Sequence, residues 1–376
     1  MRILHLITTL DVGGAEMHIL AQTRGQRARG HEVRVLYLKG YGSLAEDFRG
    51  LGAEVVPIAG PLQLLRRIGS HLAWCDVFHS HLLKADMLAA LGAALHGQRK
   101  KLVSSKHNDE QVLKHPLVSR IHGILGNFPA RTIVLSDHVG RFVERYGRLR
   151  PGSWVRVYYG LDPAPFEAAS RMSASERAAV RAELGLEPRE IVFTCVARFA
   201  AQKAHDVLLR AFARARAKAA GLGLRLVLVG DDPFGEGKRN AELLARELGP
   251  EVERAVIFTG IRRDVPRVLA ASAVFVMSSL WEGLGLVFLE AMASGLPVLS
   301  TRVSAIPEVV VEGETGILVP PADESALAEG MLALASDAGL RARMGAAGRE
   351  RVRKCFALER MIEETLAVYR TLPTPT

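Results

Sequence analysis

The chain of 376 residues is long enough for two or three domains of about 150 residues, each with a hydrophobic core of its own. Its hydrophobic fraction of 49% and charged fraction of 24% are typical of a soluble globular protein, and no apolar run reaches the ~20 residues that a membrane span needs. Three cysteines, far apart and odd in number, indicate neither a disulfide framework nor a zinc site, which fits a reducing cytoplasm.

The net charge of +9 is unevenly distributed along the chain. Residues 1–165 contain 22 Lys and Arg against 13 Asp and Glu, whereas the remaining residues contain 27 of each. A basic half is typical of proteins that bind an anionic membrane surface or nucleic acid, but also of a solvated Arg-rich surface. Because no nucleic-acid module is recognisable, we expect no nucleic-acid partner. The segments predicted to rest on anionic lipid are residues 62–72 and 141–150.

The first half of the chain alternates between apolar strand patterns and helical stretches. The predicted strands cover residues 1–10, 31–38, 53–58, 77–79, 101–105, 131–135 and 155–158. His5 and the threonines after it interrupt the apolar N-terminal run, which favours a buried strand over a secretory signal. Alternating strands and helices predict a parallel, doubly wound sheet.

A polar, Arg- and Glu-rich connection at residues 160–190, bracketed by glycine and proline, is predicted to join two domains. The strands predicted after it cover residues 190–197, 224–230, 255–259, 273–277, 297–301 and 316–319. The fold class is therefore α/β, with two Rossmann-like, doubly wound domains at residues 1–165 and 166–355. Two such domains facing each other would form a ligand cleft at the carboxyl ends of their strands.

Residues 278–301 combine glycines, a short apolar helix pattern and two carboxylates. Gly285 precedes the helix predicted at residues 286–293. A glycine turn that opens a helix offers free backbone N–H groups and a positive dipole end to a phosphate. Glu282 and Glu290 cannot bind a phosphate, but their carboxylates accept hydrogen bonds from sugar hydroxyls. The combination indicates a nucleotide sugar.

Other candidates follow predicted strands, where a doubly wound fold binds its ligands. Arg198 and Lys203 come after the strand at residues 190–197, and both can neutralise a diphosphate, although such a pair is also typical of an exposed basic surface. Gly13 and Gly14 open the first predicted helix. There they either place backbone amides near an anion or only pack helix against strand.

Histidines follow two strands of the first half. His79 and His81 come with the strand at residues 77–79, and His107 follows the strand at residues 101–105. No further histidine or carboxylate at helical spacing supports a metal site, so we predict no metal. We expect some of these histidines to bind substrate and others to pack in the core. His107, which is predicted to lie furthest out on its loop, is the best candidate for substrate contact.

With these patterns the chain resembles the retaining GT-B glycosyltransferases of family 4, which use nucleotide-activated sugars. Five patches carry the resemblance, in order, along nearly the whole length. They are Gly13-Gly14-Ala15-Glu16, residues 76–81, Arg198 with Gln202-Lys203, the two-glutamate stretch with residues 290–298, and Glu308 with Gly313, Gly316 and Leu318-Val319. The fourth patch is the most specific, and the first two gain their weight from the others.

The resemblance implies a role for each matching residue. Glu290 would bind the ribose hydroxyls, and Glu282 would lie near hydroxyls of the transferred sugar. His107 would stand near that sugar on the acceptor side. The C-terminal helix at about residues 356–376 would pack on the N-terminal domain. The groups implied to hold the diphosphate are the backbone amides of Gly285, Leu286 and Val287, the cations of Arg198 and Lys203, and the turn at Gly13 and Gly14.

The resemblance also implies a reaction. A hexose would move from a UDP- or GDP-sugar to a hydroxyl acceptor with retention at the anomeric carbon, and neither a metal nor a cofactor would be required. Fixed positive charge would stabilise the leaving diphosphate, and the departing phosphate oxygen would take the acceptor proton. The implied catalytic residues are Arg198, Lys203, Glu282 and His107. The base of the nucleotide would contact the loops that contain Gly230, Gly260 and Ile261.

The expected partners are the nucleotide sugar, a carbohydrate or lipid-linked acceptor of cell-envelope polysaccharide or glycolipid synthesis, and an anionic membrane surface on the cytoplasmic side. The sugar, the base, the acceptor and the oligomeric state stay open at this point. Two other functions also stay open. One is a sugar-nucleotide epimerase or hydrolase on the same fold, and the other is a basic, non-enzymatic protein that binds membrane or nucleic acid.

Overall fold

The computed structural model describes residues 1–219, 221–232 and 235–373. The chain divides into two compact units, one formed by Met1–Gly160 with Phe356–Thr376 and the other by Leu161–Cys355. We call them the N-terminal unit and the C-terminal unit. Among the described residues, no helix combines the length and the hydrophobicity required to cross a bilayer.

The N-terminal unit contains a seven-stranded parallel sheet in the order β3-β2-β1-β4-β5-β6-β7. Strand order reverses between β1 and β4. Its elements in chain order are β1 (Arg2–Ile7), α1 (Gly14–Ala28), β2 (Glu32–Tyr37), α2 (Ala45–Gly50), β3 (Glu54–Pro57), α3 (Gly60–Trp74), β4 (Val77–His81), α4 (Leu83–Leu95), β5 (Leu102–Lys106), α5 (Pro116–Leu125), β6 (Arg131–Val134), α6 (Asp137–Gly147) and β7 (Trp154–Arg156).

Both faces of this sheet are covered, as the apolar strands require. Alternate residues of a strand point to opposite faces. Leu4 and Leu36 therefore pack with α3 and α4 on one face, whereas Val33 and Val35 pack with α1 and α2 on the other.

The C-terminal unit contains a six-stranded parallel sheet in the order β10-β9-β8-β11-β12-β13. Here the strand order reverses between β8 and β11. Its elements are α7 (Ala164–Ser170), α8 (Ala174–Glu183), β8 (Ile191–Val196), α9 (His205–Lys218), β9 (Leu224–Val229), α10 (Gly237–Glu247), α11 (Pro250–Ala255), β10 (Val256–Gly260), α12 (Val265–Ala270), β11 (Val274–Met277), α13 (Leu286–Ala293), β12 (Val298–Thr301), α14 (Ile306–Val309), β13 (Gly316–Val319), α15 (Glu324–Ser336) and α16 (Ala338–Cys355).

The last helix, α17 (Leu358–Arg370), belongs to the N-terminal unit and packs against α1. Its apolar side joins a core formed by β1, β4, β5 and β6. The contact with α1 is close because Gly25 has no side chain. A Cβ placed there would lie 2.1 Å from Cδ1 and 2.7 Å from Cγ1 of the buried Ile362.

We expect Gly25→Ala to destabilise the N-terminal unit by about 1 to 3 kcal/mol, because the added methyl group overpacks the interface between α1 and α17. Urea unfolding measures this loss, and Ile362→Val, which removes the Cδ1 atom nearest to the added methyl group, should cost less in the Gly25→Ala variant than in wild type. Gly50→Ala is the matched control, since nothing lies within 4 Å of the position of its Cβ. Equal stability of Gly25→Ala and Gly50→Ala would contradict the packing described here.

Candidate functional site

Two loops flank the point of the C-terminal unit at which strand order reverses. One follows β8 and the other follows β11, and these two strands are neighbours in the sheet. Doubly wound folds bind ligands at the carboxyl ends of the strands beside such a reversal. The structure therefore brings the predicted residues of these two loops to the place where this fold binds ligands.

Hydrogen bonds join the two loops into one surface. The backbone N–H of Leu280 donates to the carbonyl of Gln202 at 2.8 Å, and the Gln202 side-chain amide donates to the carbonyl of Trp281 at 2.7 Å. The hydroxyl of Ser278 donates to the carbonyl of Lys203 at 2.8 Å. Gln202 thus fixes the relative position of the two loops, a structural role that its side-chain type alone does not reveal.

Lys203 and Glu282 form an ion pair with each other. Both side chains are largely buried, with exposed fractions of 12% and 7%. The hydroxyl of Ser279 donates to Glu282 Oε1 at 2.7 Å, and the backbone N–H of Glu282 donates to the Ser304 hydroxyl at 3.1 Å. The sequence assigned the lysine to a diphosphate and the glutamate to a sugar, and the structure adds that each holds the other in place.

Arg198 is exposed near the start of the loop that follows β8. In the described part of the chain its guanidinium has neither an ion pair nor a hydrogen bond. Unlike Lys203, Arg198 has its charge and its two-pronged donor geometry fully available to an anion.

Helix α13 opens with three backbone N–H groups that no described residue accepts, those of Gly285, Leu286 and Val287. Gly285 has a φ of 77°, a left-handed conformation that favours glycine. The turn carries no capping side chain that would occupy the helix terminus. These donors and the positive end of the helix dipole suit an anion.

Glu290 lies on the same helix and is partly buried. Within the described residues its carboxylate has no hydrogen-bond donor and no ion-pair partner. Burial raises its pKa to about 7. A partly buried carboxylate without a partner loses solvation, which hydroxyl groups of a ligand can replace.

The loops after β9 and β10 are adjacent, as their predicted common role requires. The backbone N–H of Gly230 donates to the carbonyl of Gly260 at 3.0 Å. A Cβ at Gly230 would lie 1.9 Å from the carbonyl oxygen of Ala197, so only glycine fits there. Ile261 is 69% exposed and offers an apolar surface beside these loops.

In the N-terminal unit the predicted glycine turn opens α1. Gly13 is the N-cap residue, and a Cβ there would lie 2.5 Å from Glu16 Oε2. Glu16 is buried and accepts a hydrogen bond from the Thr9 hydroxyl at 2.6 Å. Gly14 has open space around its Cβ position. A side chain at Gly13 would displace the Glu16 carboxylate, whereas packing does not restrict Gly14.

The histidines require a correction. Strand β4 extends to His81, so His79 and His81 lie within the strand and are fully buried. His107 was expected to lie furthest out on its loop, but it is only 4% exposed. The strand prediction ended too early because polar side chains interrupt the apolar pattern, and these side chains are buried by bonding to one another.

The buried rings form a directed chain of hydrogen bonds. The side-chain amide oxygen of Gln26 accepts from His5 Nε2 at 3.0 Å, which leaves His5 Nδ1 to accept from His81 Nε2 at 3.0 Å. His81 Nδ1 then accepts from His107 Nε2 at 3.0 Å. His107 Nδ1 in turn accepts from the Tyr159 hydroxyl at 3.0 Å. The side-chain amide of Gln26 thus sets the tautomers of His5, His81 and His107. Both ring nitrogens of His107 take part in hydrogen bonds.

His79 makes a separate pair of bonds, with the Tyr369 hydroxyl at 2.6 Å and the Ser105 hydroxyl at 2.7 Å. One ring nitrogen each from His5, His79 and His81 lie within 4.8 Å of one another, a spacing that a metal ion could bridge. All of these nitrogens already take part in hydrogen bonds within the protein. The bonding pattern therefore fits a satisfied polar core better than a metal centre.

We expect the N-terminal unit to lose stability as the pH falls from about 6.5 to about 4. Burial lowers the pKa of His5 to about 4 and of His107 to about 3, and it lowers those of His18, His79 and His81 well below the ordinary value of 6.5. In this window only the unfolded chain binds the protons, at up to roughly 1.4 kcal/mol per histidine and pH unit. Urea unfolding at pH 7 and pH 5 measures the loss, and equal stability would contradict it.

Known protein families match the chain over both units. The family described as "Glycosyltransferase Family 4" matches residues 12–164, and the one described as "Glycosyl transferases group 1" matches residues 190–337. The GDP-mannose-dependent alpha-(1-6)-phosphatidylinositol monomannoside mannosyltransferase of Mycolicibacterium smegmatis is 30% identical over 361 residues, which cover 90% of this chain and 89% of the relative. The N-acetyl-alpha-D-glucosaminyl L-malate synthase of Bacillus anthracis is 26% identical over 295 residues, 78% and 74% of the two chains.

Among solved structures, Anabaena Alr3699/HepE in complex with UDP superimposes with a TM-score of 0.87 at 22% identity, covering 99% of this chain and 100% of the other. The same protein in complex with UDP-glucose gives a TM-score of 0.86. This likeness concerns the fold, and it agrees with the two parallel, doubly wound sheets described above. The chain belongs to the group 1, family 4 glycosyltransferases and has the GT-B fold.

Proposed function

We propose that this glycosyltransferase moves a hexose from a UDP- or GDP-sugar to a hydroxyl acceptor, with retention at the anomeric carbon and without a metal ion. The observation that carries the proposal is the grouping at the strand reversal of the C-terminal unit. That edge of the sheet carries the open amides of α13 and the unpaired Arg198 on loops that follow neighbouring strands, and the unpartnered carboxylate of Glu290 lies on α13 itself. An anion and a polyhydroxyl group joined in one ligand satisfy all three.

The diphosphate is assigned to Arg198, Lys203 and the amides of Gly285, Leu286 and Val287. Negative charge grows on the leaving diphosphate as the bond to the sugar breaks, and fixed donors stabilise that charge without reorganisation. They supply the positive charge that a divalent cation would otherwise provide. Because Lys203 is held by Glu282, its position is set before the donor binds.

The two glutamates divide their roles. Glu290 accepts hydrogen bonds from the ribose, and Glu282 accepts them from the transferred sugar while it holds Lys203. Neither acts as a proton donor or as a nucleophile in this proposal. A double displacement of the retaining-hydrolase kind needs a second carboxyl group about 5 Å away, and the family resemblance assigns none.

The acceptor proton passes to the departing phosphate oxygen, so no side chain acts as general base. We assign no proton transfer to His107, since both of its ring nitrogens are hydrogen-bonded inside the protein. Its role on the acceptor side is to position the loop that carries it. Gly14, which packing leaves free, is the residue of the first turn that we assign to donor binding.

The similar proteins support a nucleoside diphosphate sugar as donor. The name of the Mycolicibacterium relative includes GDP-mannose, and the Anabaena protein was solved in complex with UDP-glucose. The names of the relatives also contain acceptors of two kinds, a glycolipid in one case and malate in the other. We propose a carbohydrate or lipid-linked acceptor for this chain, in the synthesis of a cell-envelope polysaccharide or glycolipid.

Mass spectrometry of UDP- and GDP-sugars incubated with the full chain in EDTA tests the proposal, with and without a panel of sugar and polyprenyl-phosphosugar acceptors. We expect one donor to be consumed only when an acceptor is present, and proton NMR of the product to show the anomeric configuration of the donor. Equal consumption without acceptor indicates a hydrolase, a dependence on added metal contradicts the assigned charges, and an inverted product contradicts retention.

A further inference from the structure

The outward sides of two neighbouring helices in the N-terminal unit are apolar although they face solvent. Helix α4 packs against α5, and α5 packs against α6. On α4 the exposed apolar residues are four positions apart, and on α5 they follow the same helical spacing, so each set lies on one side of its helix. The residues are Leu91, Leu95, Leu117, Ile121 and Ile124, with exposed fractions from 38% to 76%. We call them the outer apolar face.

Helices α4, α5 and α6 and the loops beside them carry exposed positive charge. Nine Lys and Arg side chains are exposed between residues 83 and 150, and the structure describes this stretch without a gap. None of them forms an ion pair with a carboxylate there. They are Lys84, Arg99, Lys100, Lys114, Arg120, Arg141, Arg145, Arg148 and Arg150.

This surface carries little negative charge. No Asp or Glu of residues 83–150 is fully exposed, and the Asp137 side chain, which is 35% exposed, is paired with Arg156. The carboxylates bond inward or sideways instead, as in the pairs of Asp86 with Lys106 and Asp109 with His138. Other cations of the N-terminal unit, such as Arg29, are paired with glutamates. A solvated surface normally intersperses both signs of charge, so this region differs from an ordinary surface.

The segment at residues 62–72, which the sequence predicted to rest on lipid, exposes few apolar side chains in the structure. Leu64, Ile68 and Leu72 of α3 pack in the core, and Leu62 alone is exposed among the leucines and the isoleucine of this segment. The predicted segment at residues 141–150 keeps its exposed arginines. The sequence pattern of α3 is amphipathic, and its apolar side is used for folding. On α4 and α5 the outward side is apolar as well.

We propose that the outer apolar face and its nine cations dock the N-terminal unit on a bilayer surface that carries anionic lipid headgroups. Apolar side chains on helices that lie flat enter the interface between headgroups and acyl chains, and each nearby Lys or Arg adds attraction to anionic lipid. A second copy of the chain fits less well, because it would oppose one set of unpaired cations with another. The inference adds a partner to the proposed function, and its test reads binding to vesicles, independent of sugar transfer.

Flotation of the full chain with vesicles tests the proposal. Phosphatidylcholine vesicles are compared with vesicles in which about one third of the lipid is phosphatidylglycerol, at low and at high salt. We expect binding to the anionic vesicles at low salt, and at least a tenfold lower partition coefficient for either of two variants. One is Leu117→Ser with Ile121→Ser and Ile124→Ser, and the other is Lys114→Glu with Arg120→Glu.

The matched control is Arg239→Glu with Leu243→Ser, which changes an exposed cation and an exposed leucine of the C-terminal unit and should bind like wild type. All of the substituted positions are exposed, and thermal melting checks that the variants fold. Equal binding to neutral vesicles, or wild-type binding by both variants, overturns the proposal. So does a dimer in light scattering that the serine variant abolishes while wild type fails to float.

Discussion

Lys203→Met is expected to lower kcat by about 10²- to 10³-fold, the loss usually seen when one fixed charge or donor is removed from a transition state. The diphosphate loses a cation that lies within the site before the donor arrives. Methionine fills a similar volume, so the two loops keep their hydrogen bonds through Gln202. Steady-state kinetics with the donor identified by screening measures the change.

The same substitution also lowers the stability of the protein, and this loss separates the two roles of Lys203. Removing Lys203 leaves Glu282 as a buried carboxylate without its partner, which typically costs about 3 to 5 kcal/mol. Adding Glu282→Gln removes the unpaired charge and should restore most of the stability, whereas activity should remain low. Recovery of activity in the double variant would show that Lys203 acts only through the ion pair and would contradict its assignment to the diphosphate.

Glu290→Gln is expected to weaken donor binding and to stabilise the unliganded protein. Burial holds the pKa of the Glu290 carboxyl at about 7, and only the carboxylate accepts two hydroxyl groups without competition from its own proton. Wild-type affinity for the donor should therefore fall by roughly tenfold from pH 8 to pH 6. The glutamine variant should bind more weakly at pH 8 and show no such dependence. Calorimetric titration at the two pH values measures both effects.

The sign of the stability effect follows from the raised pKa. Between pH 4.5 and 7 the folded protein holds a proton at Glu290 that the unfolded chain has released, so wild type is penalised progressively as the pH rises through this window. Glu290→Gln should therefore gain on the order of 1 to 3 kcal/mol over wild type at pH 8 and little near pH 4.5. Glu314→Gln, at an exposed position, is the control and should leave binding and stability unchanged. An unchanged donor affinity in Glu290→Gln would remove Glu290 from the donor site.

The sequence was sufficient for the architecture because the strands of a parallel sheet are short apolar runs separated by glycine and helical patterns. Helix α13 agrees with its prediction at both ends, since Gly285 and Gly295 mark them, each with positive φ. Strand β4 does not, because its last residues are histidines. His81 is hydrogen-bonded to His5 of the neighbouring strand, and His79 to Tyr369 and Ser105. A contact across strands has no signature in the local pattern.

The candidate site was predictable as a set of residues but not as a set of contacts. Glycines, cations and carboxylates after strands pointed to a phosphate and a sugar. The pairing of Lys203 with Glu282, and the support that Ser279 gives it, depend on how two loops 75 or more residues apart meet. Ser304 adopts a positive φ of 47° to receive the Glu282 backbone N–H. Serine is not a residue type that predicts this conformation.

Amide hydrogen exchange of the wild-type chain in EDTA, with and without a saturating nucleoside diphosphate, tests whether the α13 amides bind the diphosphate. The first N–H groups of α13 have no acceptor in the described protein, so they should exchange fast when free and slowly when a diphosphate binds. We predict that protection is greatest in peptides that span residues 278–290 and 197–203. Binding of the nucleotide without protection of residues 285–287 would contradict the assignment of these amides to the diphosphate.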